Sequence, residues 1–128
     1  MSIFIVDDHP LMSEAVATLL GHLYPFERIV EFGSVAGPLT SEDSGLLLIC
    51  LDLNMPGISG CAGIRALKEH FPTVPLVVYS ASRAGDEERD CSEAGADAYI
   101  EKSIGSRELA TTLRRILSRQ SSAVALAR

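Results

Sequence analysis

Short apolar runs alternate with apolar stripes at helical spacing along most of this 128-residue chain. The first run, Ile3-Phe4-Ile5-Val6, has no polar interruption, which predicts a strand buried on both faces, and it leads directly into Asp7-Asp8. Pro10 then suits the first turn of a helix. Leu11, Ala15, Leu19 and Leu23, flanked by Met12, Val16 and Leu20, form one stripe at that helix's period. A second strand is expected over Arg28–Phe32, then a short or broken helix within residues 34–44, where Gly37-Pro38 interrupts the pattern. Residues 46–51 form a third strand ending at Asp52, and an Asn54-Met55-Pro56-Gly57 turn follows. Ile64, Leu67 and Phe71 mark a third helix, and residues 76–79 a fourth strand ending at Ser80. Residues 84–94 predict a charged helix, Ala98–Glu101 a fifth strand ending at Lys102, and Leu109, Leu113, Ile116 and Leu117 the core side of a last helix. Residues 121–128 have the character of a tail or linker.

Five strands alternating with five helices predict an α/β fold, with a parallel sheet covered on both faces. In such sheets functional groups gather beyond the carboxyl ends of the strands, at the point where the strand order reverses. Asp7, Asp8, Asp52, Ser80 and Lys102 all fall at those ends, on the first, third, fourth and fifth strands.

Composition narrows the class further. An apolar fraction of 47% and a charged fraction of 22% are ordinary for one soluble domain. Cys50, Cys61 and Cys91 match no zinc or redox spacing and are expected as small buried hydrophobes. The first residues carry no basic segment and the longest apolar run is too short for a membrane, so a cytoplasmic protein without membrane contact is expected. Residues 1–100 hold 15 acids and 5 bases, whereas residues 101–128 hold 2 acids and 6 bases. The acidic body argues against direct DNA binding by this domain.

Three carboxylates held together repel one another unless a cation neutralises them. Mg²⁺ is the natural one, because it prefers oxygen ligands and is commonly held by a few carboxylates together with a phosphate. Lys102 adds a fixed positive charge. This set suits in-line transfer of a phosphoryl group onto Asp52, already ionised at neutral pH, while the Ser80 hydroxyl hydrogen-bonds a phosphoryl oxygen. Each piece alone has a plainer explanation: an Asp-Asp after a strand usually caps a helix, and Lys102 alone is a surface charge. Their order along alternating strands is what favours chemistry. His9 is expected only to start the helix beside Pro10, since Mg²⁺ seldom uses imidazole.

The motifs Val6-Asp7-Asp8-His9-Pro10, Leu51-Asp52-Leu53-Asn54-Met55-Pro56-Gly57, Val78-Tyr79-Ser80-Ala81 and Gly95 to Lys102 resemble those of a CheY-like response-regulator receiver domain over residues 2–120. The Asp-Asp-His-Pro form and the Lys102-Ser103 junction are most similar to the NarL/FixJ (LuxR-type) class. The resemblance implies a flavodoxin-like, doubly wound sheet in the order 2-1-3-4-5, with Asp52 as phosphoacceptor. It implies Mg²⁺ bound by Asp7, Asp8, Asp52 and the Asn54 carbonyl, with Asp7 acting through water. Ser80, Ala81 and Lys102 would line the phosphoryl group, and Tyr99 would be the aromatic that follows Ser80 as the switch. It further implies a sensor histidine kinase as partner, DNA contact only through an effector domain outside this chain, and a phosphorylation-dependent homodimer. Residues 1–120 would be the receiver and 121–128 the start of a linker.

Three segments depart from the family pattern. The second helix carries Gly37-Pro38, the third has Cys61-Ala62-Gly63, and the fourth lacks large apolar residues and is expected to dock loosely. Two alternatives are a pseudo-receiver or stand-alone receiver acting by protein contact, and a phosphohydrolase using Asp52 as nucleophile. The second would need a general acid at the position of Asn54.

Overall fold

The computed structural model describes residues 1–41, 45–53, 60–80, 85–102 and 106–126, giving backbone alone for Asp86, Ser106 and residues 119–126. The elements run β1 (Ser2–Val6), α1 (Pro10–Leu23), β2 (Arg28–Phe32), α2 (Ala36–Leu39), β3 (Leu46–Asp52), α3 (Gly60–His70), β4 (Leu76–Ser80), α4 (Asp86–Ala94), β5 (Ala98–Glu101) and α5 (Ser106–Leu126). The five strands form one parallel sheet in the order β2-β1-β3-β4-β5, as the alternating pattern and the family resemblance imply. The order reverses between β1 and β3. The acids ending those two strands therefore flank the switch point.

Strand parity divides the core in two. Phe4, Val6, Leu51, Leu76 and Val78 point to the side packed by α3 and α4, with Ile64, Leu67, Phe71 and Cys91. Ile3, Ile5, Leu48, Cys50, Val77 and Tyr79 point to the other side, with Val16 and Leu20 of α1 and Leu113, Ile116 and Leu117 of α5. Burial on both faces explains the uninterrupted apolar runs of β1, β3 and β4. The thiols of Cys50 and Cys91 sit inside these layers, and burial pushes Cys50 up to about 12, which fits its role as a small core residue.

Two of the segments that depart from the family pattern have a distinctive local geometry. α2 is a single turn of Ala36-Gly37-Pro38-Leu39. Gly37 lies against the Phe32 ring: a methyl group there would strike Cδ1 and stand 3.1 Å from Cε1 and 3.2 Å from Cγ. The ring cannot retreat freely, because it is edge-on to Phe4 with centroids 4.9 Å apart. Gly37→Ala is therefore expected to lower stability by about 1 kcal/mol, overpacking outweighing the helix preference of alanine. Urea unfolding measures this, and a variant as stable as the parent would show that the ring yields.

α4 contributes Cys91 and Ala94 to the core, both small, in keeping with its scarcity of large apolar residues. It ends at Gly95, whose φ of 119° lies in the left-handed region and whose Cα has the Lys68 side chain close by. α5 continues past Leu117, and its backbone stays helical to Leu126, into the segment expected as tail or linker. No glycine or proline interrupts residues 118–126, and alanine and leucine there favour the helix. Among the described residues no helix is long and apolar enough to cross a membrane.

Candidate functional site

The carboxyl ends of β1 and β3 bring Asp7, Asp8 and Asp52 together, and the end of β5 brings Lys102 to them. Asp52, the last residue of β3, has no exposed surface, and Asp7 is buried immediately after β1. Asp8 is partly open to solvent. The Lys102 ammonium stands 3.0 Å from Asp52 Oδ1. Its backbone is fixed by an N–H that donates to the Ser80 carbonyl at 2.7 Å.

The histidine that follows the acid pair belongs to the same cluster. His9 is the N-cap residue of α1, as expected, but its side chain makes no capping bond. Its backbone N–H donates to Asp7 Oδ1 at 2.8 Å, and the ring turns back so that Nδ1 lies 3.0 Å from that same oxygen. Nδ1 is also 3.1 Å from Asp52 Oδ2 and 3.1 Å from Asp8 Oδ1. Sequence reasoning leaves His9 out of the pocket on the ground that it is no Mg²⁺ ligand. That ground overlooks what an imidazole does as a proton donor between carboxylates.

Tyr79 also enters the site, although the motif that contains it assigns it no role. It belongs to the α1/α5 side of the core, yet its hydroxyl donates to Asp7 Oδ2 at 2.9 Å. Burial, and then the charge of Asp7, raises its phenol well above the ordinary value. Ser80, one residue on, faces the opposite side, where its hydroxyl donates to Glu87 Oε1 of α4 at 3.2 Å. Tyr99 of β5 packs against that same side, near enough to Ser80 and Glu87 for both to act on its phenol. Burial raises the Tyr99 phenol. Ser80 and Tyr99 thus share one side of the sheet, and Glu87 is a partner of Ser80 that the sequence did not single out. Asn54 and Ala81 lie outside the described residues.

Ligand atoms of Asp7, Asp8, His9 and Asp52 all lie within 4.8 Å of one another. Three of the four are carboxylate oxygens, the hard donors that Mg²⁺ prefers, so the residues present fit that ion. His9 and the ion would draw on the same carboxylates.

That competition has a measurable consequence. Burial is the main cause raising the Asp7 carboxyl above its ordinary 3.8, and hydrogen bonds to Asp7 and Asp52 raise His9 above 6.5. A carboxyl with a raised folded pKa holds its proton better when folded, so its relative contribution to stability falls as pH rises from 3.8 to its folded value. A raised histidine contributes fully below 6.5 and loses that contribution as pH rises through its folded value. Both slopes have the same sign. Without divalent cation, stability in this cluster is expected to fall from weakly acidic to mildly alkaline pH, and Mg²⁺ should flatten the decline. Thermal melts in EDTA and in Mg²⁺ test this, and a decline equally steep in both would refute it.

Residues 3–114 match the response regulator receiver domain family. The chain is 34% identical over 118 residues to the glycerol metabolism activator of Pseudomonas putida, covering 91% of this chain and 53% of that protein. It is 35% identical over 101 residues to the nitrate/nitrite response regulator NarP of Escherichia coli K12, covering 78% and 47% respectively. The chain thus spans about half the length of these curated relatives. Among solved structures, a LuxR family DNA-binding response regulator from Silicibacter pomeroyi superposes with a TM-score of 0.77 at 28% identity, covering 92% of each chain. A family match over most of the length, on a sheet that gathers three aspartates and a lysine at its switch point, leaves one assignment: the chain belongs to the response regulator receiver domains.

Proposed function

We propose that this receiver is switched by Mg²⁺-dependent phosphorylation of Asp52. The observation that supports it best is the convergence on Asp52 of two further aspartates and the Lys102 ammonium. Asp7, Asp8 and Asp52 would hold the ion, with the Asn54 carbonyl as a further ligand. When bound, the ion supplies positive charge to the phosphoryl oxygens. An Asp52 carboxylate oxygen attacks phosphorus in line, a new O–P bond forms, and the bond to the donor breaks with its electron pair leaving on the donor. The donor is the phosphohistidine of a sensor histidine kinase. Lys102 offsets the charge that accumulates beside Asp52.

The signal leaves through the α4–β5 side. A phosphoryl oxygen competes with Glu87 for the Ser80 hydroxyl, and Tyr99, packed on the same side, follows. That exchange biases a helix with little apolar anchorage. We assign the output to transcription, through a DNA-binding effector domain outside this chain, because the chain matches about half the length of these relatives and one similar structure is a LuxR family DNA-binding response regulator. A phosphorylation-dependent homodimer and a cytoplasmic setting complete the reading. Incubation with acetyl phosphate and Mg²⁺, followed by mass spectrometry, tests the central step. The expected result is one phosphoryl group added in Mg²⁺ and none in EDTA.

A further inference from the structure

We infer that Tyr79 is a positioning residue that sets both charged sides of the phosphorylation site, its hydroxyl orienting Asp7 and its ring seating Lys102. This inference rests on the reading that Asp7 helps to hold Mg²⁺ beside Asp52. The hydroxyl donates to Asp7 Oδ2 at 2.9 Å, while Oδ1 of the same carboxylate is taken by the His9 backbone N–H at 2.8 Å. Two donors on opposite oxygens fix the rotation of a carboxylate, where one would leave it free to swing. The phenol is itself held firmly, because Tyr79 is 3% exposed and packed among Cys50, Val77, Ile100 and Leu113. The rigid core thereby reaches the acid through one bond.

The same ring serves the opposite side of the site. Lys102 Nζ lies 5.7 Å from the ring centroid, within the range of a cation–π contact, while it stands 3.0 Å from Asp52 Oδ1. One side chain thus touches the anionic group expected to bind the ion and the cation expected to meet the phosphoryl group. Supporting contacts of this kind, one bond behind a ligand, commonly govern metal affinity.

The hydroxyl and the ring can be separated by substitution. Tyr79→Phe keeps the ring under Lys102 and removes the bond to Asp7. Tyr79→Leu removes both. Mg²⁺ affinity is measured by titrating the metal and following amide chemical shifts, and the phosphorylation rate is measured with acetyl phosphate at saturating Mg²⁺. Tyr79→Phe is expected to weaken Mg²⁺ binding about tenfold while leaving the saturated rate within about twofold of the parent. Tyr79→Leu is expected to weaken binding equally and also to slow the saturated rate about threefold. In an Asp7→Ala background, Tyr79→Phe should produce no further loss of affinity.

Unchanged Mg²⁺ affinity in Tyr79→Phe, whatever its effect on melting temperature, would reduce Tyr79 to a core residue and overturn the inference. A loss in Tyr79→Phe that persists undiminished in the Asp7→Ala background would do the same, and this comparison stands even if the leucine variant does not fold. Failure of the parent protein to bind Mg²⁺ would instead remove the functional reading on which the inference stands.

Discussion

Asp52→Ala is expected to abolish phosphoryl uptake from acetyl phosphate while leaving the domain folded. The nucleophile must be an ionised oxygen that meets both the metal-binding acids and a cation, and among the described residues Asp52 occupies that position. Asp7 bonds His9 on one oxygen and the Tyr79 hydroxyl of the core on the other, whereas Asp52 meets the Lys102 ammonium at Oδ1. Asp8 bonds His9 at the open side of the cluster, and the Lys102 ammonium is paired with Asp52. The variant should survive because the removed charge sits among two like charges. Relief of that repulsion offsets loss of the Lys102 partner, whose partly exposed ammonium can turn toward water. Mass spectrometry reads the outcome directly. A phosphoryl group still acquired by Asp52→Ala would move the acceptor elsewhere and end the proposal.

Much of this site was legible in the sequence because it depends on position along strands. An apolar run such as Ile3–Val6 or residues 46–51 states where a buried strand lies, and the residue after the run must then stand at the carboxyl edge of the sheet. Asp7, Asp8, Asp52, Ser80 and Lys102 were all found in this way, and the resemblance to receivers added Tyr99. What the sequence concealed depends on side-chain direction. Tyr79 looks like any aromatic in a buried strand, and only parity plus the length of a phenol lets it cross from the α1/α5 layer to Asp7. Glu87 looks like one more charge on a polar helix, and its inward turn toward Ser80 depends on how α4 is rolled against β5. His9 was placed correctly at the start of α1, but a one-residue cap position does not say where its ring goes.

The depth of α2 was legible for the same kind of reason. Gly37-Pro38 cannot sustain a long helix, and the structure retains a single turn that fits closely over Phe32. The extension of α5 to Leu126 was not, because residues 118–122 are all polar and break the apolar stripe that marks the helix.

Lys102→Ala is expected to slow phosphorylation about 100-fold, the usual loss when one preorganised charge is removed from a transfer site. The ammonium is set by three independent features: the end of β5, the backbone bond from Lys102 N–H to the Ser80 carbonyl at 2.7 Å, and the Tyr79 ring face. It therefore needs little reorganisation when negative charge builds on the incoming phosphoryl group. Removing it leaves Asp52, which has no exposed surface, beside Asp7, Asp8 and the His9 ring without the lysine charge. The metal-free variant should accordingly be less stable than the parent, and Mg²⁺ should restore more of its stability than it adds to the parent, because the ion then supplies the missing charge. Rates measured at saturating Mg²⁺ separate this from weakened metal binding. A rate within threefold of the parent under those conditions would show that Lys102 serves the fold and not the transfer, whereas a loss that appears only at limiting Mg²⁺ would assign it to the metal site.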